Sequence, residues 1–419
     1  MGIFSKLQKV EGYSPWQFSF FRIIFGIYLL IHFSHMMFWG GELFGKNGLV
    51  AESSMNPGFG KFPFLFFLND DPFFVSIVLG TLVFLSLLFT LGIYRNFTAF
   101  LLWYGWASLL HRNIFISNPG IPFVGWLMLA CVLIPPGEPL SFSFKRKTIS
   151  VKNWQMPGMI FYGAWLIMAA GYTISGIHKL GSPSWIDGSA VLHLLHNPLA
   201  RDTFIRGFIL EAPVWFFNVL SWSALFLEIA FLPLAAFRKT RWIAWTGIVF
   251  MHLGILTVVN FADLTAGVLM IHLFTVDPLW FPSRKFAKNK NPPVIYFDGF
   301  CILCNGFVDF LLEEDKSHLY RFSALQSEAA KSALSGIGKI PDSVVLYDNG
   351  NLYFRSDAAI KIISSLGGIW KILVVFYLVP RFLRDPVYDF IAKSRYTWFG
   401  KKDSCRIPSD EEKQYFIDS

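Results

Sequence analysis

Two cysteines, Cys301 and Cys304, stand three residues apart, after an apolar run from Val294 to Phe297 and before a stretch with helical periodicity. A pair at that spacing can close a small disulfide ring, and a helix N-terminus favours a thiolate on the first sulfur. Cys301 is therefore expected to be the nucleophile and Cys304 the resolving thiol. The same two residues could form half of a zinc site, which needs two more ligands. His318 and Cys405 are the nearest candidates in sequence, and no metal is expected. Asp298 either tunes the proton equilibrium of the dithiol or caps the turn that enters the helix.

A second group lies far upstream. His178 and Lys179 close a long apolar run and are followed by Trp185, Asp187 and Gly188. A lysine held among apolar groups can serve as a base; alternatively Lys179 only carries its ammonium to a membrane interface as an anchor. Arg22, Glu228, His32, His35, His111, His252 and His272 also fall in or near apolar runs, where ionisable side chains are costly and so draw functional suspicion. Arg22 and Glu228 are expected either to pair with each other or to line a polar cavity.

The elements that position these residues belong to two different kinds of chain. Of the 419 residues 54% are hydrophobic and only 15% charged, against roughly 25% charged in an ordinary soluble protein. That balance excludes intrinsic disorder, and four cysteines are too few for a disulfide scaffold. Through Lys290 there are 21 Lys and Arg against 12 Asp and Glu; beyond it, 15 against 16. The basic residues of the first part lie between apolar runs and form no groove-reading or stacking motif, so nucleic acid is not an expected partner.

Eight apolar runs qualify as candidate spans, at about 16–38, 72–91, 97–112, 121–135, 157–178, 213–237, 241–259 and 262–277. The first lacks a cleavage pattern and reads as a retained span. With the N-terminus inside, 14 Lys and Arg fall in inner segments and six in outer ones, which places both the N-terminus and the region after the last span in the cytoplasm. Residues 1–282 are thus expected to form a multi-pass domain in contact with lipid, residues 283–293 a basic linker, and residues 294–419 a small α/β domain with a helical tail. Its predicted order is βαβαββα, that of a thioredoxin-like fold, with a hairpin turn at Asn349-Gly350 and a short amphipathic helix around 372–379. Ile340-Pro341 stands where such folds place a proline beside the dithiol, or is a plain loop proline.

Two resemblances add to this reading. Asp298, Cys301 and Cys304 form the D-x-x-C-x-x-C signature of the DCC family of thiol-disulfide oxidoreductases. The tail from Pro380 to Asp385, with Arg395-Tyr396, Phe399-Gly400 and Cys405, is similar to that family's C-terminal half. This resemblance implies a thioredoxin-like fold; a redox-active Cys301–Cys304 disulfide is the activity expected from the motif, with a cytosolic thiol reductant as its expected partner. Gly176, Lys179-Leu180, Trp185 and Gly188 resemble the segment carrying the base lysine of vitamin K-dependent gamma-carboxylase. His252, Asp277-Pro278, Trp280, Phe21-Arg22-Ile23 and His111-Arg112-Asn113 fit the pattern of the related bacterial HTTM domain. That resemblance implies Lys179 as a base, with His178, Trp185, His111, Arg112 and His252 around a quinol such as menaquinol or a vitamin K hydroquinone, at the outer face.

The expected function is therefore quinol-dependent redox chemistry in a cell-membrane protein with a cytosolic dithiol domain. An export or transport factor for a secreted peptide, and a dithiol oxidoreductase whose spans only anchor it, are the alternatives.

Overall fold

The computed structural model describes residues 10–50, 52, 54, 60, 64–142, 154–281, 291–336 and 343–417. Most of the expected linker, and Ile340-Pro341, lie outside these residues. The chain divides into two compact units, Met1–Val276 and Asp277–Ser419.

The first unit is helical: α1 (Pro15–Met37), α2 (Pro72–Leu91), α3 (Arg95–Arg112), α4 (Ile121–Leu133), α5 (Gly158–Lys179), α6 (Phe204–Leu210), α7 (Val214–Ile229), α8 (Arg241–Val258) and α9 (Ala262–Phe274), with shorter turns between. Local chemistry sets several ends. Pro15 and Pro72 begin α1 and α2, and the Ser14 and Asp71 side chains accept hydrogen bonds from Gln17 N–H at 3.0 Å and Phe73 N–H at 3.1 Å. Gly92, with φ of 71°, closes α2 in the left-handed conformation that a non-glycine residue disfavours.

Each of the eight apolar runs is helical, but fewer than eight are long and apolar enough to cross a membrane. Among the described residues four qualify, α1, α2, α5 and α8, or five if α6 and α7, bent by 109°, count together. The others fall short for separate reasons. α4 and α9 have 13 residues each, about 20 Å of helix against a hydrocarbon core of about 30 Å. α3 begins and ends on buried arginines. The run expected at 213–237 breaks at Ala230 into α7 and a short helix, Phe231–Ala236.

Buried charge in this unit is paired differently from expectation. Arg22, fully buried, lies 3.4 Å from Glu138 and donates to the carbonyls of Phe89 at 2.9 Å, Leu140 at 2.7 Å and Thr90. Arg95 donates to the same carboxylate at 3.0 Å. One loop glutamate therefore serves two arginines, and Glu228 is left to another partner.

The second unit carries a four-stranded sheet of order β2-β1-β3-β4. Its strands are β1 (Val294–Phe297), β2 (Arg321–Ala324), β3 (Val345–Asp348) and β4 (Asn351–Phe354). β1 pairs parallel with β2 and antiparallel with β3, and β4 returns antiparallel on β3. The two-residue turn Asn349-Gly350 has positive φ at both positions, 51° and 82°, which suits the twist of a tight hairpin. The helices are α10 (Ile302–Glu314), α11 (Glu328–Leu334), α12 (Arg355–Ser365) and α13 (Arg381–Phe399). The strand and helix order is the predicted βαβαββα. Tyr296, Val345, Ala330 and Leu334 pack on one face of the sheet. The apolar stretch after α12 forms a short helix, as expected, of 3-10 type over Gly368–Leu378.

Candidate dithiol site

β1 ends on Phe297, and residues 298–300 turn the chain into α10. Cys301 is the N-cap of that helix, and its sulfur accepts the Cys304 N–H at 3.2 Å. Asn305, one turn along, donates to the Gly299 carbonyl at 2.9 Å and the Cys301 carbonyl at 2.7 Å, locking the turn. Gly299 leaves room for Cys405: a Cβ would sit 2.0 Å from the Cys405 sulfur, which would have to move. Cys405 thus packs on the loop, while His318 stacks on Tyr415 with ring centroids 4.6 Å apart.

Asp298 caps the turn that enters the helix and is itself held by a second set of donors. Its Oδ1 accepts the Phe300 N–H at 3.1 Å, capping the turn, and Gln326 Nε2 at 2.9 Å. Its Oδ2 accepts Arg395 Nη2 at 2.9 Å and the Tyr396 hydroxyl. Burial alone would raise the Asp298 carboxyl, but these hydrogen bonds outweigh it and hold the group below the usual carboxylate range. The reacting atoms of Asp298, Cys301 and Cys304 lie within 4.8 Å of one another. Three such groups could contact a metal; a closed structural zinc site would need a fourth protein ligand, and none joins them among the described residues, where four donors engage the carboxylate.

The two thiols are driven apart in acidity. The hydrogen bond from the Cys304 side chain lowers Cys301 to about 7, aided by the Cys304 backbone N–H and the Arg395 charge and opposed by burial and by the Asp298 charge. The same hydrogen bond, then burial, pushes Cys304 up. Access runs the other way. Cys301 is fully buried, because the segment after α13 crosses it: Lys402 N–H donates to the Phe300 carbonyl at 2.8 Å, and Lys401 bridges Cys301 as an antiparallel neighbour. Gly400, with φ of 91°, makes the turn into that strap. Cys304 is half-buried and lines an apolar cavity of about 280 Å³ bounded by α10, α12 and α13.

The residues singled out in the helical unit do not form one group. Lys179 Nζ lies 2.5 Å and 2.6 Å from the two oxygens of Glu228 and 4.5 Å from the Trp185 ring centre. Gly176 permits this pairing, since a Cβ there would stand 2.8 Å from the Ile229 backbone nitrogen. His178 is exposed beside it. His252 lies deeper, its Nε2 3.3 Å from the Tyr172 hydroxyl. Arg112 instead ties loops together through the carbonyls of Val50 at 2.6 Å and Gly45 at 3.0 Å and through Asp70 at 3.3 Å. His111 faces the Ala107 carbonyl of its own helix at 2.9 Å. Sequence reasoning missed Tyr172 as a partner of His252 and Gln326 as a partner of Asp298; neither carries a local signal.

Comparison with known proteins bears on the second unit. Residues 295–401 match the family of DCC1-like thiol-disulfide oxidoreductases. The uncharacterized protein YuxK of Bacillus subtilis is 46% identical over 128 residues, 30% of this chain and 93% of its own length. The chain belongs to the DCC1-like family. A chloroplastic DCC family protein of Arabidopsis thaliana is 40% identical over 129 residues, 30% of this chain and 75% of that protein. No solved structure matches. The matched span of the DCC1-like domain runs from β1 to Lys401, so it takes in the dithiol, Arg395, Tyr396 and the first residues of the strap.

Proposed function

We propose that the protein is a membrane-embedded thiol-disulfide oxidoreductase whose DCC1-like domain cycles Cys301 and Cys304 between dithiol and disulfide. The observation that carries this reading is the thiol pair at the N-terminus of α10, where the Cys301 sulfur accepts the Cys304 N–H at 3.2 Å and is lowered to about 7 by its hydrogen bonds from Cys304. A thiolate available near neutral pH is what exchange chemistry requires. Apolar helices of spanning length support a membrane setting, and the excess of Lys and Arg in alternate loops, counted between the eight apolar runs of the sequence, favours a cytosolic dithiol. There it would rest mostly reduced and act transiently.

In detergent-purified full chain equilibrated in dithiothreitol redox buffers, the Cys301–Cys304 disulfide should form and reverse, as read by mass spectrometry after alkylation. Either Cys301→Ser or Cys304→Ser should abolish the interconversion; a wild-type pair that never closes overturns the proposal.

A second reading draws on Lys179, paired with a buried carboxylate and flanked by an indole ring. These groups offer a polar contact and an aromatic face to a quinol head group, which would compete with Glu228 for the ammonium. Quinol oxidation by the purified protein that is unchanged in Lys179→Ala would remove this reading.

A further inference from the structure

We propose that the cavity against Cys304 is the substrate site, that it takes small uncharged thiols and disulfides bearing an apolar or aromatic group, and that the substrate sulfur bonds to Cys304 rather than Cys301. This deepens the oxidoreductase reading and rests on it.

Access decides which sulfur is met first. The strap of Gly400 to Lys402 covers Cys301, whose residue is 0% exposed, whereas Cys304 forms part of the cavity wall. The remaining wall is dominated by Leu303, Phe307, Val344, Ala359, Ile363 and Ile391. Its two ionic groups, Asp298 and Arg395, are spent on each other at 2.9 Å. A glutathione disulfide brings several carboxylates and ammonium groups that would lose water here with no partner in exchange. A neutral aromatic or aliphatic group would instead gain from burial. The volume of about 280 Å³ lies at the small end of ligand cavities, which suits a small thiol or disulfide.

The chemistry then assigns the sulfurs different tasks. In the reducing direction the proton shared by the pair shifts from Cys304 to the Cys301 thiolate, uphill given their acidities, and the Cys304 thiolate so formed, the one that faces the cavity, attacks the substrate disulfide. That S–S bond breaks, and the first substrate thiolate leaves with the proton returned by Cys301. The Cys301 thiolate next attacks Cys304 Sγ, the bond between Cys304 and the substrate breaks, and the second thiolate leaves to be protonated by water. The dithiol has lost two electrons and the substrate disulfide has gained them. In reverse, a substrate thiolate attacks Cys304 of the disulfide and Cys301 departs; a thiol of low pKa is the better leaving group. The structure thereby exchanges the roles expected from sequence position.

The test uses full-length protein in detergent with 4,4′-dithiodipyridine, a neutral aromatic disulfide, and with glutathione disulfide, mapping adducts by peptide mass spectrometry. Cys301→Ser should accumulate a stable thiopyridyl adduct on Cys304, and Cys304→Ser should label Cys301 roughly ten-fold more slowly. In wild type, acid quenching at early times should trap the mixed disulfide on Cys304, a result independent of how well the variants fold. Ala359→Trp, which fills the cavity, should slow the aromatic disulfide by roughly ten-fold or more. An adduct found first on Cys301, or equal reaction with glutathione disulfide after correction for their intrinsic reactivity with a free thiol, overturns the proposal. Failure of the wild-type pair to form any Cys301–Cys304 disulfide would instead overturn the oxidoreductase reading beneath it.

Discussion

Arg395 Nη2 lies 2.9 Å from Asp298 Oδ2, so a helix near the end of the chain supplies the cation for a carboxylate that stands 97 residues earlier at the entrance to the dithiol loop. The two side chains are buried, and a buried charge deprived of its partner is far more costly than a pair never made. The C-terminal helix is thus part of the dithiol site.

Replacing Arg395 with methionine should leave Asp298 with Tyr396, Gln326 and Phe300 only. We expect a loss of about 2–4 kcal/mol, below the full cost of an isolated buried charge because those donors remain. The Cys301 thiol should also titrate above 7, since one of the influences lowering it is the Arg395 charge. Thiolate absorbance followed against pH separates this electrostatic effect from a stability loss read by chemical denaturation. An unchanged titration would show that the cation does not act on the dithiol.

The acidity of Cys301 fixes a pH dependence. Its folded value, about 7, lies below the ordinary 9.0, so the thiolate fraction should climb through pH 7 and level off before pH 9. For stability the sign follows the depressed value. The contribution is fully present above the ordinary thiol range and is lost as pH falls from 9 through 7. Thiolate absorbance followed against pH should therefore show its midpoint near 7. A midpoint near 9 would contradict the hydrogen bond from Cys304.

In the helical unit, Glu138→Gln should be among the most damaging single changes. It leaves Arg22 and Arg95, both buried, with carbonyl oxygens alone. A cost of about 3–5 kcal/mol follows, seen as a large fall in detergent melting temperature. Changing Glu138 together with Arg22, to glutamine and leucine, should recover part of that loss.

Much of this organisation is readable from the chain alone, because it depends on local pattern. All eight apolar runs are helices, and the hairpin turns at Asn349-Gly350 as the preference for positive φ demands. What escaped is what depends on distance. Glu138 lies in a loop between Pro136 and Pro139 and carries no helical phase, so its service to Arg22 and Arg95 could not be read from spacing. Glu228 meets Lys179 only because Gly176 lets two helices approach closely. The place of the dithiol at a helix start was readable from the sequence, but the accessibility of Cys301 is set by a strap about 100 residues downstream.

That strap has a consequence for how the protein is made. A chain emerges from the ribosome N-terminus first, so the apolar helices, the sheet and both thiols all exist before Gly400 to Lys402 have been synthesised. Through that interval Cys301 stands uncovered, and Ile417, whose N–H binds the Phe322 carbonyl at 3.0 Å, has yet to pin the tail to β2. The nascent domain therefore passes through a stage in which either sulfur is open to oxidants or to a chaperone, and completion of the tail ends that stage.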